Sequence, residues 1–356
     1  MKLFTLLFLL PLLVTAQDAD ITNWINSDAV AIDNTDISNP VPDNAHLNNL
    51  FKGRKVFGFG EATHHTQEFF VLKGKFFRYV AEHEGVRVFL MEDSYFAGNL
   101  VNNFILGGEG SAAEVAARMG FLIWRTEEVS QLIQWMRDFN TGRPENDRIR
   151  FYGIDCQVSY GLADDIKAFA KKYNIDITNF NSVLQDAGAL KGVSKSRRRE
   201  CTAELDKLAA LVKQGFNPKV RYEKLELERV LYAINNLMQC NELILTDSHR
   251  VRDGYMAENV KQLLDNQGAD ARGFIWAHNN HVAKNNDRNN MGYVLKQIYG
   301  EKYYSIGFEF GKGTLYGQVS DNGVRKPKLY KLPLLKDSYA ELFANADALQ
   351  FMFDIK

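Results

Sequence analysis

Four apolar runs of this chain end abruptly on a carboxylate or a histidine, the residue types that most often move protons in enzymes. The runs end at Glu61, at Glu92 with Asp93, at Asp155 and at His278. In open α/β sheets, ligands bind beyond the carboxyl ends of the parallel strands, so ionisable residues at several strand ends converge on one site. The pattern therefore favours an enzyme.

Two of these strand ends carry a pair of ionisable residues with the spacing i, i+3. Glu61 and His64 form one pair, and His278 and His281 form the other. In a helical turn this spacing places two side chains on one face, where a carboxylate can orient an imidazole and fix its tautomer. The pattern predicts that water is activated, either by a histidine base or by a metal held by the two histidine-containing motifs with Glu61 or Glu92. A structural alternative also stays open, in which Glu61 caps a helix or the histidine is a hydrogen-bonded residue of the core.

Other reaction types find little support in the sequence. It lacks the G-x-S-x-G motif that carries the nucleophilic serine of α/β-hydrolases. The glycines before Glu61 are not followed by the Lys-Ser/Thr pair of a phosphate-binding loop. Cys156 follows Asp155 without a neighbouring cation, which favours a buried thiol over a nucleophile. Among the three cysteines, Cys201 and Cys240 are the candidates for a disulfide, and the alternative is that all three are small buried hydrophobic residues.

Composition and the first residues narrow the class of protein. The chain has 356 residues, 46% of them hydrophobic, and a formal net charge of −1, so no global field attracts nucleic acid or an anionic membrane. Residues 1–16 have a positive end, an apolar stretch too short to span a bilayer, and small residues before Gln17. We expect a cleaved signal peptide, a periplasmic or secreted protein, and no integral membrane segment after cleavage.

The remaining chain alternates strand-like and helix-like patterns, which predicts an α/β fold with a largely parallel central sheet flanked by helices. A long helical insertion, or lid, over residues 160–260 is expected to divide the core into a first part, 17–159, and a second part, 261–356. The strands are expected at residues 55–60, 87–91, 149–154, 273–277 and 303–310.

Several of these motifs also carry a family resemblance. The ordered series comprises Gly60 to His64 with Glu68 to Phe70, Met91-Glu92, Gly153 to Asp155, Arg252 to Asn259, Ala277 to His281, and Met291 to Leu295. Between about residues 55 and 311 the chain resembles the erythromycin esterase family. The resemblance implies a hydrolase that cleaves a small-molecule ester or lactone, with no cofactor and little or no dependence on metal. Relatives include macrolide esterases that confer antibiotic resistance.

The resemblance also implies roles for individual residues. His64 would be the general base on water, Glu61 would orient it, and Glu92 would help to position the water. His278 and His281 would serve the oxyanion or the leaving group. The metal-dependent alternative, and a non-catalytic binding protein that retains the cleft, stay open, although intact Glu61, His64 and Glu92 argue against the latter.

A second set of residues consists of candidates for substrate binding. Lys73 and Arg78 match basic positions of the family on the helix after His64, although a cation there could equally be solvated. Asp155 and Arg252 belong to the later motifs. His65 stands where the family commonly has glycine, so it would crowd the pocket or add a second titrating group.

Overall fold

The computed structural model describes residues 20–32, 36, 39–64, 66–285, 289–321 and 324–355. These residues belong to two compact units. The smaller unit contains the described residues of 20–52, 61–84 and 308–355, and the larger unit contains those of 53–60 and 85–307. In this part of the chain, no helix is both long enough and apolar enough to cross a membrane.

The described residues form nine strands: β1 (Val30–Ala31), β2 (Val56–Phe59), β3 (Val88–Ser94), β4 (Arg150–Asp155), β5 (Gly273–Trp276), β6 (Tyr303–Ile306), β7 (Gly313–Asp321), β8 (Val324–Leu332) and β9 (Phe351–Met352). Residues 20–28 are helical. The other α-helices of the described residues are Ala45–Phe51, Gln67–His83, Tyr95–Ile105, Ala112–Ala116, Glu127–Asn140, Leu162–Lys172, Asn181–Gly188, Lys195–Gly215, Arg221–Thr246, His249–Gln267, Asn279–Val282, Met291–Tyr299 and Tyr339–Ala344.

A five-stranded parallel sheet organises the larger unit, in the order β4-β3-β5-β2-β6. Because every neighbouring pair runs parallel, the carboxyl ends of all five strands lie at one edge of the sheet. One face is covered by a row of stacked rings, with centroids 4.5 Å apart for Phe59 and Phe274, 5.4 Å for Phe274 and Phe89, and 5.0 Å for Phe89 and Phe151. The predicted α/β fold is confirmed.

Residues 160–260 are helical, as the sequence predicts, and they contain no strand. Their helices belong to the larger unit together with the sheet. A single hydrophobic cluster joins strand residues such as Leu90 and Ile275 to helical residues such as Leu237 and Val260. The helical segment therefore forms part of the main core.

The ends of two strands differ from the prediction. β3 continues through Glu92 and Asp93 to Ser94, and its pairing with β4 shifts register between Met91 and Ser94. A β-bulge of this kind bends a strand and re-aims its side chains. β6 ends at Ile306, so the strand predicted over 303–310 is too long by four residues.

The smaller unit contains elements that the sequence did not predict. β1 pairs antiparallel with β9, and β7 pairs antiparallel with β8 to form a hairpin. In the same unit, the helix Gln67–His83 places Phe69 against Phe308 and Phe310, with ring centroids 5.6 and 6.4 Å away.

Candidate active site

An ion-pair network lies at the carboxyl edge of the sheet in the larger unit. We call it the Arg252 cluster, and it consists of Arg252, Glu92, Asp155, Asp253 and His281. Arg252 donates from Nε and Nη2 to the two carboxylate oxygens of Asp155, at 3.0 and 2.6 Å. Its Nη2 also donates to Glu92 Oε1 at 2.7 Å. The side chains of Arg252 and Glu92 are 8% and 7% exposed, and that of Asp155 is fully buried, so water screens these charges weakly.

His281 lies between two carboxylates of this cluster. Its Nδ1 is 2.9 Å from Asp253 Oδ1, and its Nε2 is 3.2 Å from Glu92 Oε1. Burial by itself lowers the pKa of His281, but the charge of Glu92 and the hydrogen bonds to Asp253 and Glu92 outweigh burial and raise the pKa from 6.5 to about 10. His281 is therefore an imidazolium at neutral pH.

The contact between His281 and Arg252 fits this protonation state. Arg252 Nη1 lies 3.1 Å from His281 Nε2, which would be a hydrogen bond only if the imidazole were neutral at Nε2. Because carboxylates face both ring nitrogens, we assign a proton to each nitrogen and treat the two cations as neighbours that share Glu92 Oε1. Burial lowers the pKa of Arg252, but the charge of Asp155 and then that of Glu92 raise it above its ordinary value.

Contacts with neighbouring elements hold the Arg252 cluster in place. The bulge in β3 carries Glu92, whose backbone oxygen accepts a hydrogen bond from Trp124 Nε1 at 2.8 Å. The helix His249–Gln267 carries Arg252 and Asp253. Asp253 Oδ2 accepts from the backbone N–H of Met291 at 2.9 Å, which connects this helix to the start of the helix Met291–Tyr299.

His278 joins the Arg252 cluster through its backbone. Its N–H donates to Glu92 Oε2 at 2.9 Å, and its Nδ1 accepts from the N–H of Asn280 at 3.1 Å. His278 is thus the N-cap of the helix Asn279–Val282, a role that the sequence analysis did not assign to it. Gly60 permits this arrangement, since a Cβ there would lie 2.1 Å from Asn279 Oδ1.

Asp93, beside Glu92 in the bulge, faces a different partner. It accepts hydrogen bonds from the backbone N–H groups of Gly120 and Phe121, at 3.0 and 3.2 Å. Burial is the largest influence on this carboxyl group and raises its pKa to about 7, despite the backbone hydrogen bonds that oppose it. Asp93 therefore anchors the segment before Trp124, a role that the sequence alone did not reveal.

A second cluster of ionisable residues lies in the smaller unit. We call it the Glu61 cluster, and it consists of Glu61, His64 and Lys73. Glu61 Oε1 lies 2.6 Å from His64 Nδ1, and Glu61 Oε2 accepts from Lys73 Nζ at 2.8 Å. Glu61 and Lys73 are fully buried, whereas the side chain of His64 is 30% exposed. The contact predicted from the Glu61 and His64 spacing is present, although the helix begins only at Gln67.

The structure places the substrate-binding candidates in different environments. Lys73 is buried against Glu61, so it is not solvated. Asp155 and Arg252 pair with each other. Arg78 is partly buried, and burial lowers its pKa more than the charge of Glu82 raises it. His65 lies outside the described residues, as do residues 1–16.

The remaining sequence candidates can also be placed. Cys156, Cys201 and Cys240 are buried free thiols, so the candidate disulfide between Cys201 and Cys240 is wrong and the alternative of buried hydrophobic residues holds. Burial raises the pKa of the Cys156 thiol, which disfavours it as a nucleophile. Among the described residues, no group of three His, Cys, Asp or Glu side chains is arranged to hold a metal ion.

A family model and two curated relatives match this chain. The erythromycin esterase family model matches residues 81–356. The chain is 24% identical to erythromycin esterase type II of Escherichia coli over 314 residues, which cover 77% of this chain and 74% of that protein. It is 22% identical to the putative hydrolase YbfO of Bacillus subtilis (strain 168) over 343 residues, 86% of this chain and 75% of that protein.

The fold is also found in a solved structure, described as a succinoglycan biosynthesis protein. The two superpose with a TM-score of 0.80 at 20% identity, covering 94% of this chain and 85% of the other. At this identity the similarity establishes the fold alone.

Proposed function

The chain belongs to the erythromycin esterase family, and on that premise we propose that it is a hydrolase that cleaves a small-molecule ester or lactone with water activated by His64. The observation that carries the proposal is the 2.6 Å contact between His64 Nδ1 and the buried carboxylate of Glu61. A carboxylate at Nδ1 fixes the tautomer and leaves Nε2 as the basic nitrogen. The names of the two curated relatives, an esterase and a putative hydrolase, support the same class of reaction.

In the proposed reaction, His64 Nε2 removes a proton from water while the water oxygen forms a bond to the carbonyl carbon. The carbonyl π electrons move to oxygen and give a tetrahedral oxyanion. When this intermediate collapses, the C–O bond to the alcohol breaks, and the departing oxygen takes the proton from the imidazolium. The products are a carboxylic acid and an alcohol, or a hydroxy acid from a lactone, and His64 is again neutral.

Lys73 has a positioning role in this proposal. Its ammonium group donates to Glu61 Oε2, and His64 Nδ1 contacts Glu61 Oε1, so both oxygens of the carboxylate have a partner. A buried carboxylate without such a cation would be costly. Lys73 therefore stabilises Glu61 in the position from which it contacts His64.

Separately, the family resemblance implies roles in hydrolysis for residues of the Arg252 cluster. Glu92 would help to position the attacking water, and His281 would stabilise developing negative charge on the oxyanion or leaving group. The pKa of about 10 for His281 supports a cation over a base. Because both of its N–H groups face carboxylates, His281 would act on developing negative charge through its positive charge. Asp155 and Arg252 are proposed to hold Glu92 in place, since both pair within the cluster.

We further propose that the protein is exported and that its mature form is periplasmic or secreted. The support is the sequence of residues 1–16, with its positive end, apolar stretch and small residues before Gln17. An exported hydrolase of this family would meet small-molecule substrates outside the cytoplasm. Macrolides are the first substrates to test, because one curated relative is named as an erythromycin esterase.

The experiment is a substrate screen with the purified protein and its His64→Ala variant in parallel. Macrolides, simple lactones and acylated sugars are incubated with each protein, and the acid formed is measured by pH-stat titration and mass spectrometry. The proposal requires at least one substrate that the wild type converts to a product heavier by one water molecule. The variant should convert the same substrate far more slowly. Equal turnover by both proteins would contradict the assignment of His64, and product formed without the addition of water would contradict hydrolysis.

A further inference from the structure

A cavity of about 260 Å³ lies in the larger unit, away from the Arg252 cluster. It is lined by strand β4, by the helices Tyr95–Ile105 and Arg221–Thr246, and by the end of the helix His249–Gln267. That last helix has Arg252 near its start and Gln267 at its end, so the two positions are about 22 Å apart at 1.5 Å per residue. The cavity is therefore distinct from the Arg252 cluster.

The depth of the cavity is aromatic and its rim is polar. Tyr95 and Tyr232 are 2% and 1% exposed, and their rings contact each other with centroids 4.1 Å apart. The Tyr232 hydroxyl is buried and has no hydrogen-bond partner among the described residues. Of these three tyrosines, Tyr222 exposes its ring, at 62%, and Lys172 Nζ lies 4.9 Å from its ring centroid. Tyrosine rings that line a concave site offer flat apolar faces together with polar edges.

Carboxamide groups supply most of the uncharged polar lining. Asn102 Oδ1 accepts from the backbone N–H of Phe151 at 3.0 Å, so Asn102 can offer its Nδ2 donors to a ligand. Gln267 Nε2 donates to the Tyr152 hydroxyl at 3.0 Å, so Gln267 can offer its Oε1 acceptor. The lining therefore presents donors and acceptors together, which matches the dual capacity of a hydroxyl group.

The charges around the cavity disfavour an anionic ligand. Arg150 pairs with Glu145 at 3.4 Å, and Arg229 pairs with Asp165 at 3.1 Å. A phosphate or carboxylate would have to compete with these pairs and would also meet Glu228, a further carboxyl group of the lining. A neutral ligand would meet no such repulsion.

We propose that this cavity binds a neutral monosaccharide unit, with its apolar ring face against tyrosine and its hydroxyl groups on the carboxamides. The volume is slightly below the range of about 300–1,000 Å³ for pockets that hold drug-sized ligands, which fits a single small ring. The proposal concerns a second site and does not depend on the hydrolysis proposed above.

The test is a saturation-transfer NMR titration of the full-length protein with the methyl glycosides of glucose, galactose and mannose. Glucose 6-phosphate and inorganic phosphate serve as anionic probes. At least one neutral glycoside should bind in the millimolar range, more tightly than either phosphate. Tyr222→Ala should weaken this binding roughly twofold to tenfold, the effect of losing one ring contact of 0.5–1.5 kcal/mol. Tyr222→Phe, which keeps the ring, should bind as the wild type does.

Leu225→Trp fills the cavity and should abolish binding, whereas Tyr339→Ala, at a tyrosine that is 76% exposed in the smaller unit, should leave it unchanged. Circular dichroism is used to establish whether Leu225→Trp is folded. Tyr222→Ala provides an independent test at an exposed residue. The proposal is overturned if none of the glycosides binds, if the phosphates bind as tightly, or if folded Leu225→Trp binds them as the wild type does.

Discussion

His281→Gln should change how the stability of the protein depends on pH. The pKa of His281 is about 10 in the folded protein, against an ordinary value of 6.5 in the unfolded chain. Because the folded-state pKa is raised, the stabilisation is fully present below pH 6.5 and is lost as the pH rises through about 10. A difference of about 3.5 units corresponds to about 5 kcal/mol at 1.36 kcal/mol per unit.

The assay is urea unfolding between pH 6 and 10.5, followed by the fluorescence of the four tryptophans. The free energy of unfolding of the wild type should fall more steeply than that of His281→Gln, by up to about 1.4 kcal/mol per pH unit between pH 7 and 9. Glutamine cannot be charged, so it removes the proton linkage while keeping a hydrogen-bonding side chain. His249→Gln, at an exposed histidine, is the matched control and should follow the wild type.

Parallel curves for the wild type and His281→Gln would refute this reasoning. They would mean that His281 has similar proton affinities in the folded and unfolded states. His281 would then be a neutral imidazole that accepts from Arg252 Nη1 through Nε2, and its proposed role as a positive charge near developing negative charge would fail.

Further predictions concern the Glu61 cluster, metal and export. Lys73→Met removes the cation that holds Glu61 Oε2, so kcat/KM should fall, and a variant that keeps wild-type kcat/KM would contradict the positioning role of Lys73. Activity should survive exhaustive chelation, because His281 would have to lose a proton before it could bind a metal. Stoichiometric zinc in the purified protein, with activity lost on chelation and restored by metal, would contradict this prediction. N-terminal sequencing of the exported protein should begin at Gln17, and recovery of Met1 would contradict cleavage.

The sequence predicted the sheet well because its strands are unusually apolar. Buried parallel strands are hydrophobic on both faces, and the five that form the sheet appear as continuous runs with helical periodicity between them. The hairpin of β7 and β8 was missed because its strands are rich in lysine, glycine and polar residues and lack that signal. The bulge that carries Glu92 and Asp93 was missed because register shifts depend on the partner strand.

The candidate site was only partly predictable. Glu61 and His64 are close in sequence, so their spacing was sufficient to predict the contact. The pairing of Arg252 with Glu92 spans 160 residues, and the pairing of His281 with Asp253 spans 28, so neither follows from local spacing. The sequence could suggest that His281 is ionisable, but its protonated state depends on two buried carboxylates that only the fold brings together.

The most direct test of the central claim is chemical rescue of His64→Ala by imidazole, measured on a substrate that the wild type hydrolyses. Loss of a positioned general base typically lowers the rate by about 10² to 10⁴. Added imidazole should restore part of kcat/KM in proportion to its neutral form, and it should leave the wild type unaffected. A variant that keeps wild-type kcat/KM without imidazole would contradict the claim that His64 activates the water.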